Sequence, residues 1–171
     1  QPAIFASSLA VVGAIEERFG DIRKIASFAA GHSLGEYSAL AAAKSIDITK
    51  AAKLLRIRGD AMQSATPVGV GAMAAILGSE IEQVESLIAS FNATQSDEIV
   101  QIANDNSPGQ IVISGHKNAV EILCEMAKQR GIKKSLMLPV SAPFHSDLMA
   151  PAAEIMLDHL NESDFKPPQL K

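Results

Sequence analysis

Residues 25–35 read Ile-Ala-Ser-Phe-Ala-Ala-Gly-His-Ser-Leu-Gly, and their pattern is the most informative in the chain about its fold. Its apolar first half predicts a short buried strand over residues 25–30, and the alanine- and leucine-rich residues 31–44 predict a helix directly after it. Between them lies the pattern Gly-x-Ser-x-Gly, centred on Ser33. A serine flanked by small residues on a sharp strand-to-helix turn is typical of a nucleophile elbow, which exposes the hydroxyl at the start of the helix. The alternative is a serine that only caps the helix.

A serine nucleophile needs further groups, because its hydroxyl is weakly reactive at neutral pH. In an elbow, the backbone N–H of Leu34 would donate to the oxyanion that develops during attack. Among the histidines, His145 is the best candidate base, since it lies in a proline-punctuated loop before a predicted helix. Its alternative is a polar surface residue. No acid stands out as a third member of a triad, because Asp147 is too near His145 in sequence.

The motifs give weaker support for an active-site role of the other polar residues. His32 suits a shaping role better than a base, because neighbouring side chains on a turn point apart. Arg58 lies in a helix predicted to open at Thr49 and to run to about residue 65, where its guanidinium could bind a carboxylate through two parallel hydrogen bonds. An ordinary surface charge is the alternative for Arg58. Asn104 and Asn106 flank a predicted strand end, and their spacing alone favours turn residues over site-lining amides.

Composition narrows the classes of function. The chain has 171 residues, 47% of them hydrophobic, with 19 acidic and 15 basic side chains and a formal net charge of -4. This composition supports a buried core and offers no general positive field for nucleic acid or an anionic membrane surface. The single cysteine, Cys124, cannot form an intramolecular disulfide, and no His/Cys pattern has zinc spacing, so we expect a cytoplasmic protein without a metal site. The apolar run at residues 3–15 is too short to span a bilayer and lacks the basic leader of a signal peptide.

The order of elements predicts two parts. A helix is expected over residues 3–18, and a last one over 150–160. Between residues 68 and 138 the patterns predict strands at 72–77, 99–103, 110–114 and 134–138, and helices at 80–91 and 117–130. This βαββαβ order is typical of a ferredoxin-like fold. We therefore expect a ferredoxin-like subdomain over residues 68–138, inserted into an α/β unit formed by residues 1–67 and 139–171.

Several segments, in order, resemble the malonyl-CoA:acyl carrier protein transacylases and the related acyltransferases of polyketide synthases. The matching segments are residues 31–37, 58–63, 67–77, 103–110, 112–115 and 139–146. The resemblance covers nearly the whole chain. It implies a hydrolase-like core built on a parallel sheet, incomplete at both ends, with an inserted ferredoxin-like subdomain.

The resemblance also implies a reaction. A malonyl group passes from coenzyme A to the phosphopantetheine thiol of acyl carrier protein through a malonyl-serine intermediate, in fatty acid biosynthesis. Ser33 is then the nucleophile and His145 the base, oriented by a main-chain carbonyl rather than by an acid. Arg58 holds the malonyl carboxylate. Malonyl-CoA and the carrier protein are the expected substrate and partner, and no permanently bound cofactor is implied.

The remaining site residues follow from the same resemblance. His32, Asn104 and Phe144 join Arg58 in the substrate-binding set. Phe144 occupies the position where related acyltransferases adjust the room for an α-substituent, and it favours malonyl over methylmalonyl.

Relatives of this kind are longer. They begin with a strand and a Gly-Gln-Gly-Ser-Gln loop that are absent before Gln1, and their histidine-orienting glutamine segment is absent after Lys171. We therefore expect the sequence to be the middle of a longer enzyme.

Three alternatives to this function stay open at the level of sequence. They are a polyketide-type acyltransferase, a serine hydrolase and a non-catalytic module that docks a carrier protein. The docking alternative rests on a local excess of three positive charges, in which Lys117, Lys128, Arg130, Lys133 and Lys134 stand against Glu121 and Glu125.

Overall fold

The computed structural model describes residues 1–94, 97–132, 134–140 and 142–170. The helices are α1 (Pro2–Phe19), α2 (Ile22–Ile25), α3 (Gly35–Ala42), α4 (Ile48–Ser64), α5 (Ile81–Asn92), α6 (Lys117–Gln129) and α7 (Ala150–Asn161). The strands are β1 (Gly71–Leu77), β2 (Val100–Ser107), β3 (Gln110–His116) and β4 (Lys134–Met137), and a short 3-10 helix covers Asp147–Met149. The chain divides into two compact units: Gln1–Ala61 with Glu154–Lys171, and Met62–Ala153.

The first unit is built around an apolar cluster contributed by four helices. Phe5 of α1, Leu55 of α4 and Met156 of α7 are 7% exposed or less and pack together with Ala41 of α3. Burial of such side chains is the main favourable contribution to folding, at about 25 cal/mol for each Å² of apolar surface. The last residues of the chain join this unit through Ser45, whose hydroxyl donates to the Lys166 carbonyl at 2.7 Å and whose carbonyl accepts from the Lys166 amide.

Helix α4 begins at Ile48, one residue before the start predicted from the sequence. The prediction that Thr49 opens this helix is wrong, because the Asp47 carboxylate accepts from the backbone amides of Thr49 at 2.8 Å and Lys50 at 3.2 Å. These amides have no partner inside the helix, so an aspartate before it satisfies them. The helix continues to Ser64 and stops before Pro67, as predicted.

The predicted strand over residues 25–30 is not formed. Ile25 ends α2, and Ala26 then takes an extended backbone with φ −105° and ψ 142°. No strand pairs with this segment among the described residues of the first unit, and Phe28 is 71% exposed. A strand exists only when a neighbour completes its hydrogen bonds, so the apolar pattern alone did not decide the outcome. The sheet that the described residues form is antiparallel and belongs to the second unit.

The second unit has the predicted order of strands and helices. Its four strands lie in the order β2-β3-β1-β4, and every neighbouring pair is antiparallel. Alternate residues of β1, such as Ala74 and Ile76, face the apolar cluster that α5 and α6 complete. Val120, Leu123 and Ala127 of α6 are fully buried in this cluster, which confirms the face predicted from their spacing.

Strand β2 is longer than predicted. Asn104 and Asn106 lie inside it, so the interpretation of both as turn residues is wrong. Register shifts between Ile102 and Asn104, and between Asp105 and Ser107, let the strand continue past the polar residues. The turn itself falls at Pro108 and Gly109, where Gly109 has φ 74°.

The entrance to β2 is fixed by a close backbone approach. A β-carbon at Gly115 would lie 2.0 Å from the Ile99 carbonyl oxygen, so only glycine fits there. His116 then accepts a hydrogen bond from the Ile99 amide through Nδ1 at 2.8 Å, while its own amide donates to the Ile99 carbonyl. His116 therefore has a structural role in the sheet.

None of the helices described in the structure combines the length and the apolar character that a membrane crossing requires.

Candidate active site

Ser33 lies on a strained turn directly before α3. Its φ is 56°, in the left-handed region that serine rarely occupies. A β-carbon at Gly31 would lie 1.9 Å from the carbonyl carbon of Gly35, so the turn closes only because residue 31 lacks a side chain. This is the backbone geometry that a nucleophile elbow requires, without the strand predicted before it.

Leu34 connects this turn to the helix. Its side chain packs against the apolar cluster of the first unit, and its φ of −58° and ψ of −23° are already helical. The following amides are engaged in the turn, with Gly35 donating to the His32 carbonyl at 2.9 Å and Glu36 to the Ser33 carbonyl at 3.1 Å. The N-terminus of α3 therefore lies next to the serine, where its dipole favours negative charge.

Arg58 contacts the serine directly. Its Nη2 donates to Ser33 Oγ at 2.9 Å, and its Nη1 donates to the side-chain carbonyl oxygen of Gln1 at 2.6 Å. These contacts bring the start of α1, the serine turn and α4 together within the first unit. Arg56, two residues earlier, is exposed and pairs with Asp60 at 2.9 Å, as expected of a surface charge.

Tyr37 lies close enough to Arg58 for the charge of the guanidinium to affect its phenol. Burial raises the pKa of its phenol, the positive charge of Arg58 opposes that rise, and Glu36 adds to it. Tyr37 and Arg58 are both half-buried, so their charges interact in a partly desolvated region. Charge interactions are stronger there than at the open surface.

His145 lies on a second strained loop, in the other unit. Its φ is 61°, and among the described residues three non-glycine residues have positive φ: Ser33, Lys44 and His145. Two of these are therefore the predicted nucleophile and base. Strained backbone of this kind clusters at functional sites, because the surrounding structure must hold it in place.

The loop around His145 packs against strand β1. Pro143 lies against Gly71 of β1, where a β-carbon would come within 2.3 Å of the proline ring. Ser146 is buried, and its hydroxyl donates to the Pro143 carbonyl at 2.8 Å. These contacts fix the chain before and after His145.

A glutamine of β2 completes the anchorage. The Gln101 side chain accepts from the Asp147 backbone amide at 2.8 Å and donates to the Asp147 carboxylate at 2.8 Å. Asp147 is thus bonded to Gln101 through both its backbone amide and its carboxylate. Sequence reasoning missed Gln101 and Gln1, because no motif marks either of them.

The other predicted site residues occupy varied positions. His32 is exposed beside Ser33, Phe144 is half-buried before His145, and Asn104 is half-buried in β2. Ser33 and Arg58 are brought together by contact, whereas His145, Phe144 and Asn104 belong to the second unit.

The lone cysteine and the metal-ligating side chains are the other groups that could carry chemistry. Burial raises the pKa of the Cys124 thiol, so this cysteine is a poor nucleophile at neutral pH. Within the described residues, no three histidine, cysteine, aspartate or glutamate side chains lie close enough together to hold a metal ion.

The basic surface proposed for docking is partly neutralised. Lys128 is bonded to Glu125, which raises the lysine pKa, and Lys117 pairs with Glu121 at 3.9 Å. Arg130 donates to the hydroxyl groups of Ser86 and Ser90. Lys133 lies outside the described residues. The surface therefore gives the docking alternative little support.

Comparison with known proteins identifies the family. The family model described as the acyl transferase domain matches residues 1–171, and the chain belongs to this family. The malonyl CoA-acyl carrier protein transacylase of Bacillus subtilis (strain 168) is 46% identical over 166 residues, covering 97% of this chain and 50% of the relative. The resemblance seen in the sequence is thereby confirmed.

Solved structures agree with this assignment. The acyl-carrier-protein-S-malonyltransferase of Bartonella henselae has a TM-score of 0.92 and 48% identity, covering 99% of this chain and 53% of that one. A malonyl-transacylase in complex with its type II polyketide acyl-carrier protein has a TM-score of 0.91 and 42% identity, with coverage of 99% and 53%. The chain spans about half the length of the curated relatives it matches.

Proposed function

We propose that the protein transfers a malonyl group from malonyl-CoA to the phosphopantetheine thiol of an acyl carrier protein, in fatty acid biosynthesis. The observation that carries this proposal is the 2.9 Å contact between Arg58 Nη2 and Ser33 Oγ. The malonyl carboxylate is one methylene away from the thioester carbonyl that a serine attacks. A cation that binds this carboxylate must therefore lie beside the nucleophile, as Arg58 does.

In the proposed first half-reaction, Ser33 Oγ attacks the thioester carbonyl while His145 takes the serine proton. The oxyanion of the tetrahedral intermediate accepts a hydrogen bond from the Leu34 backbone N–H at the start of α3. The carbonyl re-forms as the carbon–sulfur bond breaks. Coenzyme A then leaves as a thiol, with the proton returned from the imidazolium.

The second half-reaction reverses these roles. The phosphopantetheine thiol gives its proton to His145 and attacks the malonyl-serine ester, and Ser33 leaves with that proton. No resident cofactor enters either step. The curated relatives named as malonyl CoA-acyl carrier protein transacylases, and the solved complex of one such enzyme with its carrier, support this choice of substrate and partner.

Substrate selection is assigned to four residues. Arg58 binds the malonyl carboxylate, while His32, Asn104 and Phe144 line the acyl-binding region. Phe144 limits the room for an α-substituent and thereby favours malonyl over methylmalonyl. An arginine beside the nucleophile also argues against a serine hydrolase, since hydrolysis of a general ester needs no carboxylate partner.

The finer fold description is part of the same proposal. We assign residues 1–67 and 139–171 to a hydrolase-like core and residues 68–138 to a ferredoxin-like subdomain. The strained turn at Ser33 supports the first assignment, and the antiparallel order β2-β3-β1-β4 with helices on one face supports the second. A cytoplasmic location is proposed from the lone, buried Cys124 and from the carrier-protein partner.

The experiment compares Arg58→Ala with Arg56→Ala in the active protein that carries this chain. Acyl-enzyme formation is measured from malonyl-CoA and from acetyl-CoA. Arg58→Ala should slow malonyl loading by about 100-fold and acetyl loading by only a few-fold, because acetyl has no carboxylate. The exposed Arg56 should affect neither. Equal losses of malonyl and acetyl loading in Arg58→Ala would contradict the role given to this residue.

A further inference from the structure

The Arg58 guanidinium is held from two sides. Nη2 donates to Ser33 Oγ at 2.9 Å, and Nη1 donates to Gln1 Oε1 at 2.6 Å. Gln1 and Arg58 are 57 residues apart in sequence, and both are partly buried. The direction in which the guanidinium points is therefore set by a residue outside every motif of the sequence.

Gln1 is itself well fixed. Its backbone carbonyl accepts from the Phe5 amide at 3.2 Å, which is a bond of the first turn of α1. Its side chain passes beside α4 at Gly59, where a β-carbon would lie 3.9 Å from Gln1 Cγ, Cδ and Nε2. An acceptor in this position limits the orientations of the arginine that it bonds.

The charge state of its acceptors distinguishes Arg58 from Arg23 and Arg56. Arg23 bonds to Asp21, and Arg56 bonds to Asp60, so a carboxylate neutralises each of them. The two acceptors found for Arg58 are a neutral amide and a hydroxyl. A neutral acceptor orients a cation but leaves its charge available for a ligand.

From this arrangement we infer that Gln1 is a specificity-determining residue: it positions the Arg58 guanidinium without neutralising it, so that only an acyl group bearing a carboxylate completes the site. The inference rests on the proposed malonyl transfer and names the residue that keeps the arginine selective. Gln1 acts through Arg58 and is a positioning residue, not a catalytic one.

The decisive substitution is Gln1→Glu, which keeps the length of the side chain and adds a charge. Its carboxylate would pair with Arg58 permanently and compete with the malonyl carboxylate. Gln129→Glu is the matched control, because Gln129 is exposed at the end of α6 and far from Arg58 in sequence. Gln1→Ala is the third variant, which removes the acceptor and leaves the arginine charged.

The three variants are compared by their steady-state kinetics of loading from malonyl-CoA and from acetyl-CoA. Gln1→Glu should lower the malonyl-to-acetyl preference by about tenfold or more, chiefly through a higher KM for malonyl-CoA, and keep the kcat for acetyl-CoA within about threefold. Gln1→Ala should lower the preference by only a few-fold, and Gln129→Glu should not change it. Retained acetyl loading also shows that the variants are folded.

A binding measurement provides a second readout. In a Ser33→Ala background, free malonate should raise the melting temperature when residue 1 is glutamine and much less when it is glutamate. Wild-type malonyl preference in Gln1→Glu, together with undiminished malonate binding, would overturn the inference and leave the proposed function intact. A wild-type protein without malonyl preference would instead overturn the proposed function, and the inference with it.

Discussion

Gly31 and Gly35 flank Ser33 symmetrically in the sequence, but the space around them differs. A β-carbon at Gly31 would lie 1.9 Å from the Gly35 backbone, whereas a β-carbon at Gly35 would meet no atom within 4 Å outside its chain neighbours and the nearby backbone of its own helix. Neither glycine has a positive φ, so sterics alone decide what each position tolerates. The pattern Gly-x-Ser-x-Gly therefore contains one glycine required by the turn and one that the turn does not require.

This difference predicts unequal effects of alanine. Gly31→Ala should lower the free energy of unfolding by about 3 kcal/mol or more, because backbone must move to admit the methyl group. Gly35→Ala should change it by less than about 1 kcal/mol, since alanine favours the first turn of α3. Chemical denaturation of the two variants measures both values. Similar losses in the two variants would show that the tight turn at Gly31 is not as described.

Helix α4 carries Arg58, and its N-terminus is capped by Asp47. Hydrogen bonds from the Lys50 and Thr49 amides lower the pKa of the Asp47 carboxyl, so the folded state favours the carboxylate. A lowered folded pKa means that this stabilisation is present above the pKa of the unfolded chain, about 3.9, and is lost as pH falls through the folded value.

Asp47→Asn should therefore keep much of the stability at neutral pH, since asparagine also caps helices, but should lose less stability than the parent on acidification. Asp47→Ala should be less stable at neutral pH. Melting temperatures between about pH 7 and pH 3 test this, with the exposed Asp158→Asn as the control. An acid dependence of Asp47→Asn identical to that of the parent would refute the capping role.

The His145 loop depends in the same way on β2. Gln101→Ala removes both bonds to Asp147 and should speed hydrogen exchange of the Asp147 amide by about tenfold. The kcat for malonyl loading should fall while the KM stays near its wild-type value. Gln110→Ala, at the exposed start of β3, serves as the control. Unchanged exchange at Asp147 would show that Gln101 does not hold the loop.

Whether local sequence predicts a helix or strand correctly depends on whether its backbone hydrogen bonds are made within the segment or to a distant one. The α6 face of Val120, Leu123 and Ala127 follows from helical spacing, and it is fully buried. Residues 25–30 have the apolar pattern of a buried strand, but a strand needs a paired neighbour that local sequence does not supply. Asn104 looked like a turn residue because register shifts inside β2 leave no local signal.

The same reasoning applies to the site. Ser33, Arg58 and His145 could be found from motifs and from family resemblance, whereas Gln1 and Gln101 could not. Their partners lie 57 and 46 residues away in sequence, and such contacts appear only after folding.

The chain contains a helical unit that carries Ser33 and Arg58 and a sheet-containing unit that carries His145. The family is the acyl transferase domain, and the chain spans about half the length of its curated relatives. The central claim is that Ser33 becomes a malonyl ester. Each of the other assignments, from Arg58 to the carrier protein, depends on this intermediate.

The most direct test is intact-protein mass spectrometry after brief mixing with malonyl-CoA, without acceptor, on the active protein carrying this chain and on its Ser33→Ala variant. We expect one malonyl group on the parent and none on the variant, and we expect holo acyl carrier protein to remove the adduct faster than water does. A folded parent that carries no adduct, or an adduct that persists in Ser33→Ala, would contradict the account.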